Sequence, residues 1–223
     1  QLATQIPRNP DGTPNYPTFQ QLANAAGEGF EYLTYEKYMS VFAGSTLPVK
    51  ELGWADMYTS MGITGITMPL TGEAAVNPQI PVVALPFTMC HEMAHRMCIA
   101  QERDANMAAF LACDANSNVT FRYSAYFMAF RHCYNALVGV GTTTAQAAAK
   151  EIYAQIGSDL MRDLNAYRDF YAQHQNAQAT NVANKVNDTY IKVSGDESGT
   201  GSYEEVYDLL VSWYIQEIYL PAN

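Results

Sequence analysis

The chain has 223 residues, 48% of them apolar and 15% charged, and a formal net charge of −10. That length accommodates one domain with a full core, or at most two small ones. The acidic balance argues against nucleic acid or an anionic lipid surface as a partner, because like charges repel. No run of about 18 apolar residues is present, so nothing in these residues is expected to span a bilayer. The chain starts at Gln1 without a methionine or a signal-like apolar stretch, which reads as a processed or trimmed product, so that any anchor or export signal would lie upstream. The four cysteines, Cys90, Cys98, Cys113 and Cys133, form no C-x-x-C spacing, and they read as buried free thiols.

Residues 1–17, with "IPRNPDGTPNYP", read as an extended, loosely ordered arm ahead of a single domain over 18–223. From Thr18 to about Phe42 apolar residues recur at three- and four-residue steps (Phe19, Leu22, Ala26, Phe30, Leu33), a helical pattern. A short helix is expected around 49–55. The one strand candidate is "MYTSMGITGITMPLTG", 57–72, where internal glycines and a closing proline point to an edge strand. "GEAAVNPQIP" reads as a loop. After Pro86 the pattern predicts helices over 86–98, 102–115, 118–138, 144–175 with a break near Gly157, 177–192 and 202–219. The fold class is therefore α+β: helix-rich, with a small sheet.

Chemistry concentrates in "FTMCHEMAHRMCIAQERDAN", 87–106. On a helix, His91 and His95 lie about 40° apart and about 6 Å apart along the axis, so two imidazoles converge on one ion. Glu92 stands beside them without being a ligand. This is the division of labour of H-E-x-x-H: neutral imidazoles hold Zn2+, the ion acidifies a water, and the carboxylate takes its proton. The competing interpretation is an amphipathic helix with a hydrogen-bonded His pair at its edge. Against it, two of only four histidines sit here, among apolar neighbours where unpaired polar groups are costly.

A third ligand is needed. On an unbroken helix Glu102 would stand about 10 Å beyond His95, out of reach. The helix must end near 97–100 and the chain must turn back, although neither glycine nor proline marks that turn. A second helix from about Gln101 would then place Glu102 at the ion and Asn106 one turn behind it, orienting a ligand. Asp104, Glu204 and Glu205 are the alternatives, and Glu102 and Asp104 would also suit a helix N-terminus without any ion.

His91-Glu92-x-x-His95 followed by Glu102-x-x-Ala105-Asn106 resembles the zincin pattern in which the later glutamate is the third zinc ligand. More closely, "GITGITMPLTGEAAVN", "LPFTMCHEMAHRMCIAQERDANMAAFLAC", "FRYSAYF" and "VNDTYIKVSGDESGTGSYEEVYDLLV" resemble segments of the domain-of-unknown-function 3810 family, in order and over roughly residues 50–215. That family is one of bacterial membrane-associated proteins with a zincin-like domain. The resemblance implies a gluzincin-like zinc metallopeptidase acting on peptide or protein substrates. It also implies a missing upstream membrane anchor and a soluble part outside the cytoplasm. The edge strand before the motif helix, with Gly65, Ile66 and Thr67, would be the substrate shelf. A glycine is usual in the family where Cys98 stands.

A donor for the developing oxyanion is sought in Tyr203, or in Arg122 and Tyr123. Glu73 would line the cleft or simply be solvated; His132 reads as a satisfied core histidine and His174 as solvated. Two other classes remain open: a non-catalytic zinc-binding sensor on the same scaffold, and a metal-free helical interaction domain.

Overall fold

In the computed structural model the described residues are 1–35, 39–68, 70–174, 176–177, 179–181 and 206–222. They form a helix-rich α+β fold with one three-stranded mixed sheet. In chain order the elements are α1 (Phe19–Ala25), α2 (Gly27–Tyr32), β1 (Lys50–Glu51), α3 (Ala55–Ser60), β2 (Gly65–Met68) and β3 (Glu73–Val76). There follow α4 (Leu85–Arg96), α5 (Glu102–Ala115), α6 (Val119–Gly139), α7 (Thr143–Ala154), α8 (Ser158–His174) and α9 (Val206–Tyr214), the last running on to Ala222. None of the helices among the described residues is long and apolar enough to cross a membrane.

Helix α5 is the centre of the core. Its residues from Ala105 to Cys113 are all buried, and α2, α4, α6 and α9 pack around it. Phe30, Phe110, Phe121, Leu22, Leu33, Met89 and Met93 fill the space between them. Each large apolar side chain of this kind stabilises the fold by about 1.5–3 kcal/mol. The approach of α2 to α5 is close enough to demand glycine: a β-carbon on Gly29 would lie 1.8 Å from the Ala112 carbonyl oxygen.

The sheet has the order β1-β3-β2, with β1 parallel and β2 antiparallel to the central β3. Gly65 pairs with Val76 and Thr67 with Ala74. β2 is thus the edge strand that its glycine and proline predicted, and it lies directly on α4 together with β3.

Four sequence expectations need correction. Residues 73–76, expected to be a loop, form the central strand, with Ala74 and Val76 buried. The segment 49–55 starts as β1 rather than a helix, and the helix comes later, at Ala55–Ser60. That helix takes the start of the strand expected over 57–72, which is confined to Gly65–Met68. The single helix expected over 18–42 is a succession of short helical pieces around the glycine contact with α5.

The first 17 residues are docked. Ala3 and Ile6 are buried against Val83, Tyr123 and Phe127. Arg8 donates to both carboxylate oxygens of the buried Asp163, at 2.9 and 2.8 Å. Of the cysteines, all free, Cys90 and Cys113 are buried as expected while Cys98 is exposed.

Candidate metal centre

The site begins with how α4 stops. Pro86 sits in the first turn, where its missing N–H costs nothing. At the other end Ile99 N–H donates to Ala94 O at 3.1 Å and Cys98 N–H to His95 O at 2.9 Å. These are the paired 6→1 and 5→2 bonds of a Schellman stop, and Cys98 takes the left-handed conformation they require, with φ +69°. The reversal that no glycine announced is therefore made by a cysteine. Gln101 is extended and α5 starts at Glu102.

This turn folds Glu102 back onto the two histidines. His91 Nε2 and His95 Nε2 are 3.0 Å apart. Glu102 Oε2 is 3.2 Å from His91 Nε2, and Oε1 is 3.4 Å from His95 Nε2. Ligand atoms at zinc distances on the corners of a tetrahedron stand about 3.3 Å apart, so the three groups already have a zinc-sized spacing. The protonation pattern agrees. His95 Nδ1 lies 2.8 Å from the Ile99 carbonyl, which only accepts, so Nδ1 carries a hydrogen and the ring, on losing its other proton, offers its Nε2 lone pair.

Glu102 Oε2 is buried and meets His91 Nε2 at 3.2 Å, and an ion among the three side chains would engage that oxygen directly. His91 Nδ1 and Asn106 Nδ2 are also buried, without a hydrogen-bond partner among the described residues, but neither is a ligand atom of this set. His91, His95 and Glu102 could hold a metal ion, and the donor set of two imidazoles and one carboxylate with an open position suits zinc.

Electrostatics tie the cluster together. Burial would raise the Glu102 carboxyl, but hydrogen bonding and charge from His91 and His95 outweigh it and hold it below the usual carboxylate range. Burial lowers His95, yet Glu102, Glu92 and the Ile99 carbonyl together push it up to about 8.

Glu92 follows His91 on α4 and is 5% exposed. Its Oε2 accepts from the Thr67 hydroxyl at 2.6 Å. Its Oε1 occupies the space beside Gly65, where a β-carbon would come within 2.5 Å. Gly65 and Thr67, two apart on β2, face α4 together. Burial pushes the Glu92 carboxyl up; the imidazoles and Thr67 pull against this without cancelling it.

The remaining expected residues fall as follows. Asn106 is buried one turn beyond Glu102, but its Nδ2 reaches no ligand side chain. Ile66, between Gly65 and Thr67, alternates to the other face of β2. Tyr123 belongs elsewhere: its hydroxyl donates to Asp163 Oδ2 in the buried network with Arg8, and burial with Asp163 raises its phenol well above the usual range. Arg122 is exposed near Asp114, Asp104 is paired with Arg103, and Glu73 is solvated beside Lys50. Tyr203, Glu204 and Glu205 lie outside the described residues.

His132 was misread. It is not satisfied: its buried Nε2 has no partner among the described residues, and burial with the charges of Arg131 and His91 drives it down to about 4. It is a neutral imidazole close to His91. The only hint in the sequence was its rarity.

The fold and this cluster define a helix-rich α+β protein with a His-His-Glu group able to hold a metal ion. The chain belongs to the family described as "Protein of unknown function (DUF3810)", whose model matches residues 1–211. No curated protein and no solved structure matches it.

Proposed function

We propose that the protein is a zinc-dependent peptidase of zincin-like architecture, with His91, His95 and Glu102 as ligands and Glu92 as general base. The observation that carries this reading is the triangle of Nε2, Nε2 and carboxylate oxygen, 3.0–3.4 Å on a side, with Glu92 on the same helix. Zinc, when bound there, supplies a Lewis acid that acidifies water and polarises a carbonyl. Glu92 takes the proton of the attacking water and passes it to the leaving amine. Its raised carboxyl suits both halves of that shuttle, since a base titrating nearer neutrality also returns the proton readily.

The preference for a peptide rests on β2. Among the described residues it pairs with β3 alone, leaving its other edge open for an extended chain to add by main-chain hydrogen bonds. The histidine side chains are 12% and 17% exposed, so the cluster can be reached from solvent.

One observation favours the second reading, a non-catalytic zinc-binding sensor. Glu92 is buried under β2 with Oε2 taken by Thr67, which is also how a purely structural carboxylate would be held. Glu92→Gln separates the two. The peptidase reading expects this variant to keep its zinc and lose turnover on a mixed peptide library by about a thousandfold or more; turnover unchanged within a few-fold would refute it.

A further inference from the structure

Beyond the metal group, a cavity of about 570 Å³ opens between the segment just before β2 and the helices α6, α7 and α8. This falls within the range of about 300–1,000 Å³ typical of ligand sites. It reaches Gly62 and Thr64, and Thr64 immediately precedes Gly65, where Glu92 lies against the strand. A chain extended along β2 would carry a side chain or terminus from the metal group into this cavity, since consecutive residues advance about 3.3 Å.

The lining is unlike the rest of the molecule. The protein carries a net charge of −10, yet among the described residues the wall holds Arg131 and Arg168 and no aspartate or glutamate. Arg168 is paired with Asp169. Arg131 has no carboxylate partner among the described residues. Its guanidinium is instead laid over the Tyr167 ring, 3.8 Å from the centroid, with one nitrogen on Met128 sulfur. Stacking in this way fixes the plane and leaves most of its donors for another acceptor. Tyr134, Tyr153 and Tyr171 complete walls suited to an apolar or aromatic body.

We propose that this cavity receives a carboxylate-bearing residue of a peptide lying along β2, with the Arg131 guanidinium as its ionic partner. This rests on the peptidase reading for the substrate but not for the binding. The carboxylate comes either from an acidic side chain or from the peptide's own C-terminus.

The test is calorimetric titration of the zinc-loaded Glu92→Gln protein with two pairs of capped peptides. Acetyl-Ala-Ala-Phe is compared as free acid and as amide, and acetyl-Ala-Glu-Phe amide with its Gln counterpart. In at least one pair the charged member should bind about tenfold or more tightly, and the pair that discriminates identifies the source of the carboxylate. Arg131→Gln should abolish the difference, Arg131→Lys should keep part of it, and Arg168→Gln should leave it. Equal affinity within both pairs, or no binding at millimolar peptide, overturns the proposal without recourse to any Arg131 variant. Parallel turnover by the wild type separates the two readings. Cleavage without charge preference removes the pocket alone, whereas charge-selective binding without cleavage of any peptide removes the peptidase alone.

Discussion

Gly65 and Glu92 share a space that only glycine leaves open: a β-carbon on residue 65 would stand 2.5 Å from Glu92 Oε1 and 2.7 Å from its Cγ. The strand thus sets the position of the proposed base. Gly65→Ala should displace the carboxylate while leaving His91, His95 and Glu102 alone. We expect zinc to be retained and kcat to fall about ten- to a hundredfold, with a stability loss of about 1–3 kcal/mol from overpacking. Steady-state kinetics beside a metal assay checks this, and an unaltered kcat would show that Glu92 is not placed by β2.

Thr67 acts on the same carboxylate by charge rather than by shape. Its hydroxyl donates to Glu92 Oε2 and lowers the carboxyl against the rise caused by burial. Thr67→Val removes the donor at nearly constant volume, so the carboxyl should rise further. The acid limb of the kcat/KM profile should therefore move to higher pH, and stability at neutral pH should drop by about 1–3 kcal/mol. An acid limb that stays in place would place the titrating group elsewhere.

Cys98 holds a conformation that favours glycine. A left-handed residue with a β-carbon costs about 1–2 kcal/mol, partly offset by the greater freedom glycine loses on folding. Cys98→Gly should stabilise the protein by up to about 1 kcal/mol in urea unfolding with zinc binding unchanged. Cys98→Val, β-branched, should destabilise it and weaken zinc, because the turn carries Glu102 to the histidines.

How much of this was legible beforehand differs from element to element. The bounds of α5 follow from local apolar periodicity, the break between α7 and α8 from Gly157, and the edge status of β2 from its glycines and proline. β3 was hidden because Glu-Ala-Ala-Val has weak strand propensity and becomes a strand only through its neighbours β1 and β2. The need for a turn after His95 was readable from helix geometry, but not that Cys98 would make it. Tyr123 could not be assigned from "FRYSAY", since its partner Asp163 lies 40 residues away. The pairing of Glu92 with Gly65 and Thr67 is equally non-local: motif and strand were each visible, their contact was not.

Protons compete with the metal. Without metal, His95 is pushed up to about 8 from an ordinary value of 6.5, so its ring is largely protonated at pH 7. In the metal-free protein this interaction contributes stability that is fully present below about pH 6.5 and is lost as pH rises through about 8. Zinc requires the neutral ring, so its binding should release a proton at pH 7, and affinity should climb until about pH 8 and then level. Calorimetry in buffers of different ionisation enthalpy counts the protons; no release at pH 7 would contradict the assignment of His95 as a ligand.

The account stands on the convergence of His91, His95 and Glu102 on one ion. Elemental analysis of protein purified without added zinc and dialysed exhaustively tests this most directly. We predict about one zinc per chain, lost on His95→Ala. A zinc content below about 0.2 per chain, or one unaffected by removing His95, would contradict it.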